Sequence, residues 1–301
     1  MKLASAETPM KTGLIAIVGR PNVGKSTLVN TLVGVKISIT ADKPQTTRHR
    51  ILGVRTETDA QFVFVDTPGY QTRHKSQLNT AMNRTVQQAL AEVDVILLVL
   101  EAGRFSPADA QVLQLLPKSH PVIAVINKVD QLADKTRLLP ELQTLAGRFP
   151  FAELVPLSAR TASDAERLLA IIKPYLPEGE AMFEEDAITD RSERFLASEI
   201  VREKVFRLTG EEIPYGTAVE IEQFTQEPSG MRRIGVVILV DREVHKPIIL
   251  GAGGERMKRI ASESRQDMER LFEAKVHLTC WIKVKTGWMD SAAMLKRLGH
   301  E

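Results

Sequence analysis

The run Gly19-Arg20-Pro21-Asn22-Val23-Gly24-Lys25-Ser26 fits the pattern GxxxxGK[ST], whose residue types are those needed to hold a polyphosphate. Glycines let backbone amides close around phosphate oxygens, and a helix opening near Lys25 turns its positive end toward them. Lys25 is placed to neutralise the β- and γ-phosphates, and the Ser26 hydroxyl to ligate Mg2+. The expected nucleotide contacts of this loop are Gly19, Asn22, Val23, Gly24, Lys25, Ser26 and Thr27. Three further motifs suit the same ligand. In Asp66-Thr67-Pro68-Gly69 the carboxylate can reach Mg2+ through water, and the Gly69 amide can sense a γ-phosphate. In Asn127-Lys128-Val129-Asp130 the Asp130 carboxylate can accept from guanine N1–H and from its exocyclic amine, a donor pair that adenine lacks. Asn127 and the Lys128 stem would support the base and its loop. Ser158-Ala159 comes last, with the Ala159 amide expected to meet guanine O6. Each short motif is weak alone. All four in this order point to GTP or GDP.

The elements that must position these motifs are legible as apolar runs. Five such runs, at 14–18, 62–65, 95–100, 122–126 and 154–157, are nearly continuous rather than alternating, the pattern of strands buried on both faces of a parallel sheet. Helix-compatible stretches at 25–33, 76–92, 108–116 and 165–175 separate them, which predicts a doubly wound α/β domain. The phosphate loop and the other three motifs each follow a run, where open α/β sheets bind ligands. The polar segment 40–50 carries adjacent threonines and no periodicity, as expected of a mobile switch loop. One threonine should complete the Mg2+ shell. Thr47 is the choice because it immediately precedes Arg48, and Thr46 is the alternative. Lys25, Thr47 and Gly69 are therefore the expected catalytic residues, and a second switch should run from Gly69 to about Arg84.

The chain of 301 residues suggests two domains. Its composition, 43% hydrophobic and 26% charged with a net charge of only +2, excludes a disordered or membrane-embedded chain. Nucleic-acid contact would need a local basic patch. A single cysteine, Cys280, and no apolar stretch of signal-peptide length near the start fit a cytoplasmic location. Two prolines, a glycine and five acidic residues over 174–188 read as a linker, or else as a long surface loop of the first domain. The expected division is 11–176 for the first domain, 177–188 for the linker and 189–301 for the second. That second unit should hold a helix at about 191–208, strands at 217–224 and 233–240, and a further extended run at 247–250. A glycine turn, a helix at about 255–272, a strand at 276–285 and a short last helix should follow.

The segments GRPNVGKSTLVN, QTTRHR, VDTPG, NKVD, ITDRSERFLASEIVREKV and EIPY at 212–215 closely resemble the bacterial Era GTPases over nearly the whole chain. The resemblance implies a Ras-like P-loop GTPase domain followed by a smaller α+β type II KH domain. It also implies binding to 16S rRNA near its 3′ end, a role in maturation of the 30S ribosomal subunit, and peripheral contact with the inner membrane. A monomer is the default. Tyr70 stands where Ras-type enzymes carry the water-orienting glutamine, so slow hydrolysis is expected. Related GTPases without that glutamine place K+ beside the phosphates through an asparagine, and Asn22 matches its position. The alternative is that Asn22 only stabilises the loop.

Leu250-Gly251-Ala252-Gly253-Gly254-Glu255-Arg256-Met257-Lys258 resembles the KH pattern IGxxGxxIK. Its glycines would let the turn approach a sugar–phosphate backbone closely. From Lys246 to Arg259 four cations (Lys246, Arg256, Lys258, Arg259) face one carboxylate, Glu255. The expected RNA contacts are those four cations with Gly251, Ala252, Gly253 and Gly254. In the following strand Cys280 falls on the apolar face. Trp281 falls on the other, either touching RNA or packed under the last helix.

Overall fold

Continuous β-branched runs do form buried strands, and they alternate with helices as their spacing requires. The computed structural model describes residues 10–41, 43, 45–70, 76–210, 213 and 216–299. Asp42 and Pro44 of the polar segment, 71–75 of the second switch and three residues of the 212–215 run therefore lie outside the described residues.

In chain order the first elements are β1 (Lys11–Val18), α1 (Lys25–Val33), β2 (Ile51–Glu57), β3 (Ala60–Asp66) and α2 (Gln77–Ala91). Then come β4 (Val95–Glu101), α3 (Pro107–Leu115), β5 (Val122–Asn127), α4 (Leu138–Ala146), β6 (Glu153–Pro156) and α5 (Ala162–Ile172). The sheet order is β2-β3-β1-β4-β5-β6. β1, β3, β4, β5 and β6 are parallel, and β2 runs antiparallel to β3 at the edge. The five strands expected from the apolar runs are the parallel ones, and β2 is an additional edge strand. Gly53, Arg55 and Thr56 interrupt the apolar pattern of β2, because an edge strand need not be apolar on both faces. Every residue of β3 and β5 is buried.

The described residues form two compact units. The first holds 10–37, 50–70 and 84–190. The second holds 38–49, 76–83 and 191–299, so the polar segment and the first half of α2 are counted with the C-terminal elements. The acidic stretch 177–188 is part of the first unit and does not behave as a linker. Thr12 N donates to the Pro177 carbonyl, Gly179 N to Met10 and Val54 N to Ile188, all at 3.0 Å. The Gln61 side chain, fully buried, also binds the Met182 and Phe183 backbone at 2.7–3.0 Å. Its acidic composition concealed a strap whose backbone groups are already paired.

The second unit continues with α6 (Glu193–Leu208), β7 (Thr217–Gln226), β8 (Arg232–Val240), α7 (His245–Leu250), α8 (Glu255–Leu271), β9 (Val276–Val284) and α9 (Ala292–Arg297). β8 pairs antiparallel with β7 and parallel with β9. The extended run expected at 247–250 is a helix instead. Pro247 lies in its first turn, where the missing amide hydrogen costs nothing. One sheet face packs on α6 and α8 through Val236, Ile238, Cys280 and Ile282. Burial pushes the Cys280 thiol up to about 12, which suits a core residue. Trp281 lies on the other face, against the cluster of Trp288 and Leu295. Packing under the last helix is thus the role the structure gives it. Among the described residues no helix is long and apolar enough to cross a membrane.

Candidate functional site

The loop between β1 and α1 turns sharply enough to need glycine. Gly24 has φ +99°, and a Cβ there would sit 2.2 Å from Asn127 Nδ2. Lys25, 6% exposed, donates to the carbonyls of Gly19 and Arg20 at 3.1 Å. Burial pulls its ammonium down to about 8, against the opposing pull of Asp66. An ammonium held this way gains from any phosphate that approaches. Asn22, at φ +65°, is the loop's left-handed non-glycine residue.

Two side chains tie the strand ends together. Thr67 Oγ1 donates to the Ile17 carbonyl at 2.8 Å, fixing the end of β3 beside β1. Asn127 Nδ2 donates to the Val23 carbonyl at 2.8 Å, while its Oδ1 accepts from Lys128 N at 2.7 Å and Ala159 N at 2.8 Å. The phosphate loop, the 127–130 loop and the 158–159 loop are therefore fastened by one buried amide. The Ala159 amide was expected to meet guanine O6. In this structure it donates to Asn127. Thr31 Oγ1 holds the Ala159 carbonyl at 2.6 Å, and Asp164 accepts from Ser158 N at 2.9 Å. Asp130 is exposed on a short turn, Val129–Gln131, that begins at left-handed Lys128. Its carboxylate is where a base edge could reach it.

Ser26 Oγ donates to Asp66 Oδ2 at 3.0 Å, and Asp66 is fully buried. A hydroxyl and a carboxylate at this spacing are a hard oxygen donor pair. Gly69 lies close against Pro21, and a Cβ there would stand 2.9 Å from its backbone. Pro68 lies between, buried beside Thr67. Tyr70 packs on the apolar core of the first unit.

Thr47 is counted with the second unit. It is buried there with Arg48, where α6 side chains donate to carbonyls of the segment and side chains of the segment donate to carbonyls of α6 and β7. Arg202 Nη2 donates to the Thr46 carbonyl at 2.5 Å and Arg48 Nη1 to Thr217 O at 2.8 Å. Lys43 Nζ reaches the Phe206 and Thr209 carbonyls at the end of α6, both at 2.6 Å. Arg207 binds the Thr40 carbonyl and hydroxyl at 3.0 Å. Burial and the cations of Arg202, Arg191 and Arg48 pull the His49 imidazole down to about 3, so it stays neutral. The segment expected as a switch loop is held at these points in this structure. What the sequence could have shown is the charge run of α6, Glu199-Ile200-Val201-Arg202-Glu203-Lys204, four of whose ions are buried. Buried ions require partners.

The second candidate surface is the turn 251–254 before α8. Gly254 caps the helix at φ +81°, with open space where a Cβ would go. Lys246, Lys258 and Arg259 are exposed, and Arg259 pairs with Glu263 at 2.7 Å. Arg256 turns back to the Ile248 carbonyl. The structure adds two residues that charge counting missed: Val244 and Ile248, 63% and 42% exposed at the start of α7 and within it. Aliphatic surface next to cations suits an unstacked base next to its phosphate.

The family model for 50S ribosome-binding GTPases matches residues 14–128, and that for the KH domain matches 212–289. The chain is 57% identical to GTPase Era of Nitrosomonas eutropha, covering 97% of this chain and 98% of that protein. It is 52% identical to GTPase Era of Chromobacterium violaceum over 97% and 99% of the two. Aquifex aeolicus Era bound to GDP·AlF4− superposes with a TM-score of 0.92 at 41% identity, covering 97% and 99%. A crystal structure of Era with MgGDPNP and nucleotides 1506–1542 of 16S ribosomal RNA has the same score, identity and coverage. With the phosphate loop, the guanine loop and the glycine turn in their places, the chain belongs to the Era GTPases, enzymes that hydrolyse GTP and carry a KH domain.

Proposed function

We propose that the chain is a nucleotide-gated RNA holder that binds the 3′ region of 16S rRNA and assists 30S maturation in the cytoplasm, acting as a monomer. Gly19–Thr27 loop atoms, with Lys25 foremost, would carry the phosphates and Asp130 the base. Ser26 and Asp66, through water, would hold Mg2+, which suits their hard oxygen atoms. Bound there, the ion would neutralise charge on the β- and γ-phosphates. Thr47 would join that shell in the GTP state, with the Gly69 amide on the γ-phosphate. Asn22 would hold K+ through its side-chain oxygen. With Tyr70 packed on the core, the chain itself offers no glutamine-like group at that position, so intrinsic hydrolysis is slow and K+ or the ribosomal particle stimulates it.

The observation that carries the gating is that the segment bearing Thr47 is tied to α6 of the RNA-binding unit, by Arg202 on the Thr46 carbonyl and by Lys43 on the Phe206 carbonyl. A segment with two sets of partners can be biased by ligands of either, and linkage makes the bias reciprocal. The test is affinity for a short single-stranded RNA matching the 3′ end of 16S rRNA, with a GTP analogue and with GDP. Wild type should bind more tightly with the analogue. Gly254→Asp, which strains a left-handed position and adds an anion, should abolish binding in both states. Equal wild-type affinities would leave an ungated RNA-binding factor.

A further inference from the structure

The residue after Gly19 in the phosphate loop is held in a way that nucleotide chemistry does not require. Arg20, 10% exposed at its side chain, donates Nη2 to Glu101 Oε2 at 2.5 Å and Nε to Asp109 Oδ2 at 3.1 Å. Asp109 is fixed in turn, because its Oδ2 accepts from Ser106 N at 2.8 Å and Ser106 Oγ at 2.7 Å in the capping box of α3. The other oxygen of Glu101, Oε1, faces Lys128 Nζ at 3.5 Å. Lys128 belongs to the loop that presents Asp130. Glu101 is the last residue of β4, paired in register with Asn127, and Ala102 N donates to the Asn127 carbonyl at 2.9 Å. Its position is thus fixed by the sheet and not by a mobile loop.

We infer that Glu101 is a positioning residue for guanine-nucleotide binding, its single carboxylate joining Arg20 of the phosphate loop to Lys128 of the guanine loop. Asn127 joins the same two loops by a neutral, buried route. Glu101 adds a charged route with one oxygen for each loop, so that a shift of either cation is felt by the other. Burial raises the carboxyl of Glu101, but Arg20, Lys128 and Arg104 outweigh it and hold the group below the usual range, charged at neutral pH. A surface ion pair would be worth little. This one lies under two ligand-binding loops, with Arg20 nearly buried. Its consequence is that the geometry with which Asp130 meets the base depends on the phosphate loop, and base discrimination depends on Arg20, which touches no base.

The inference rests on the guanine reading of Asp130, and its test separates the two. Affinities for GDP and for IDP, which lacks the exocyclic amine, are measured on the full chain as wild type, Glu101→Gln, Arg20→Gln and the double variant. Each single variant should lower the GDP-over-IDP preference about fivefold, and the double should fall no further, as expected for partners in one network. Arg20→Lys, which keeps the charge but loses the fork, should lie between wild type and Arg20→Gln and serves where Arg20→Gln does not fold. An unchanged preference in Glu101→Gln beside a lowered melting temperature would make the carboxylate a structural ion pair only. Losses that multiply in the double variant would remove the relay. Equal wild-type affinity for GDP and IDP would overturn the Asp130 reading and the relay with it.

Discussion

The nucleotide loops of the first unit and the 38–49 segment of the second are both polar backbone that must be held in one shape, and they are held by different means. In the first unit short neutral side chains fasten the strand ends, as with Thr67 on Ile17 and Asn127 on Val23 and Ala159, beside the charged group of Arg20, Glu101 and Lys128. In the second they are long cations on carbonyl oxygens: Arg202, Lys43, Arg48 and Arg207. Neutral side chains of few rotamers lose little entropy on ordering and suit a site that keeps its shape. Long cations lose more, are sensitive to salt and can be recaptured by an anion. The first arrangement makes a mould, and the second a latch.

The latch should be the easier to break outright. Arg202 and Glu199 are buried ions 2.5 Å apart, and Arg202→Ala leaves Glu199 without that cation. Breaking a buried pair in this way costs about 3–5 kcal/mol. Chemical denaturation should show that loss in the transition of the second unit, with amides 45–48 exchanging faster. A loss below about 1 kcal/mol, the range of surface pairs, would mean that the segment is held mainly by apolar packing. The mould should fail by a smaller step. Asn127→Ala removes three hydrogen bonds and leaves the Val23 carbonyl and the Ala159 amide without it. The expected cost is about 2–3 kcal/mol, read as an about 30- to 150-fold weaker affinity for GDP, roughly the worth of one or two unsatisfied buried groups. Unchanged GDP affinity would show that Thr67 and the strand ends suffice.

The mould was legible from residue types, because phosphate and guanine chemistry admits few substitutes for Lys25, Asp66 or Asp130 at those spacings. The strands were legible too where both faces are buried, as in Val95–Glu101. What escaped was structure whose sequence signals conflict. β2 carries Gly53 and Arg55 because its edge tolerates them. The strap 177–188 is acidic because it faces solvent while its backbone pairs with Met10, Thr12 and Val54. α6 has no clean apolar face because charged side chains on it are buried, Arg202 and Glu203 against the 38–49 segment and Lys204 against Asp267 of α8. Glu101 looks like the polar end of an apolar strand, and its two cations come from 81 residues upstream and 27 downstream. Contacts over such separations leave no local pattern to read.

Lys43 makes the finest test of the latch. Its ammonium caps the carbonyls of Phe206 and Thr209 at the end of α6, where the helix dipole favours a cation. Lys43→Met keeps most of the stem and removes the charge, at an expected cost of about 1 kcal/mol at low salt. At about 1 M salt the Debye length falls to about 3 Å and the exposed share of that difference should shrink. Asn127→Ala, tested by GDP affinity in the same two buffers, should keep its deficit, because its partners are neutral and buried. If salt narrows the two deficits equally, both regions are held electrostatically and the distinction between mould and latch fails. If only the Lys43 deficit narrows, the segment that carries Thr47 is held by charge, and a phosphate-bearing ligand can compete for it.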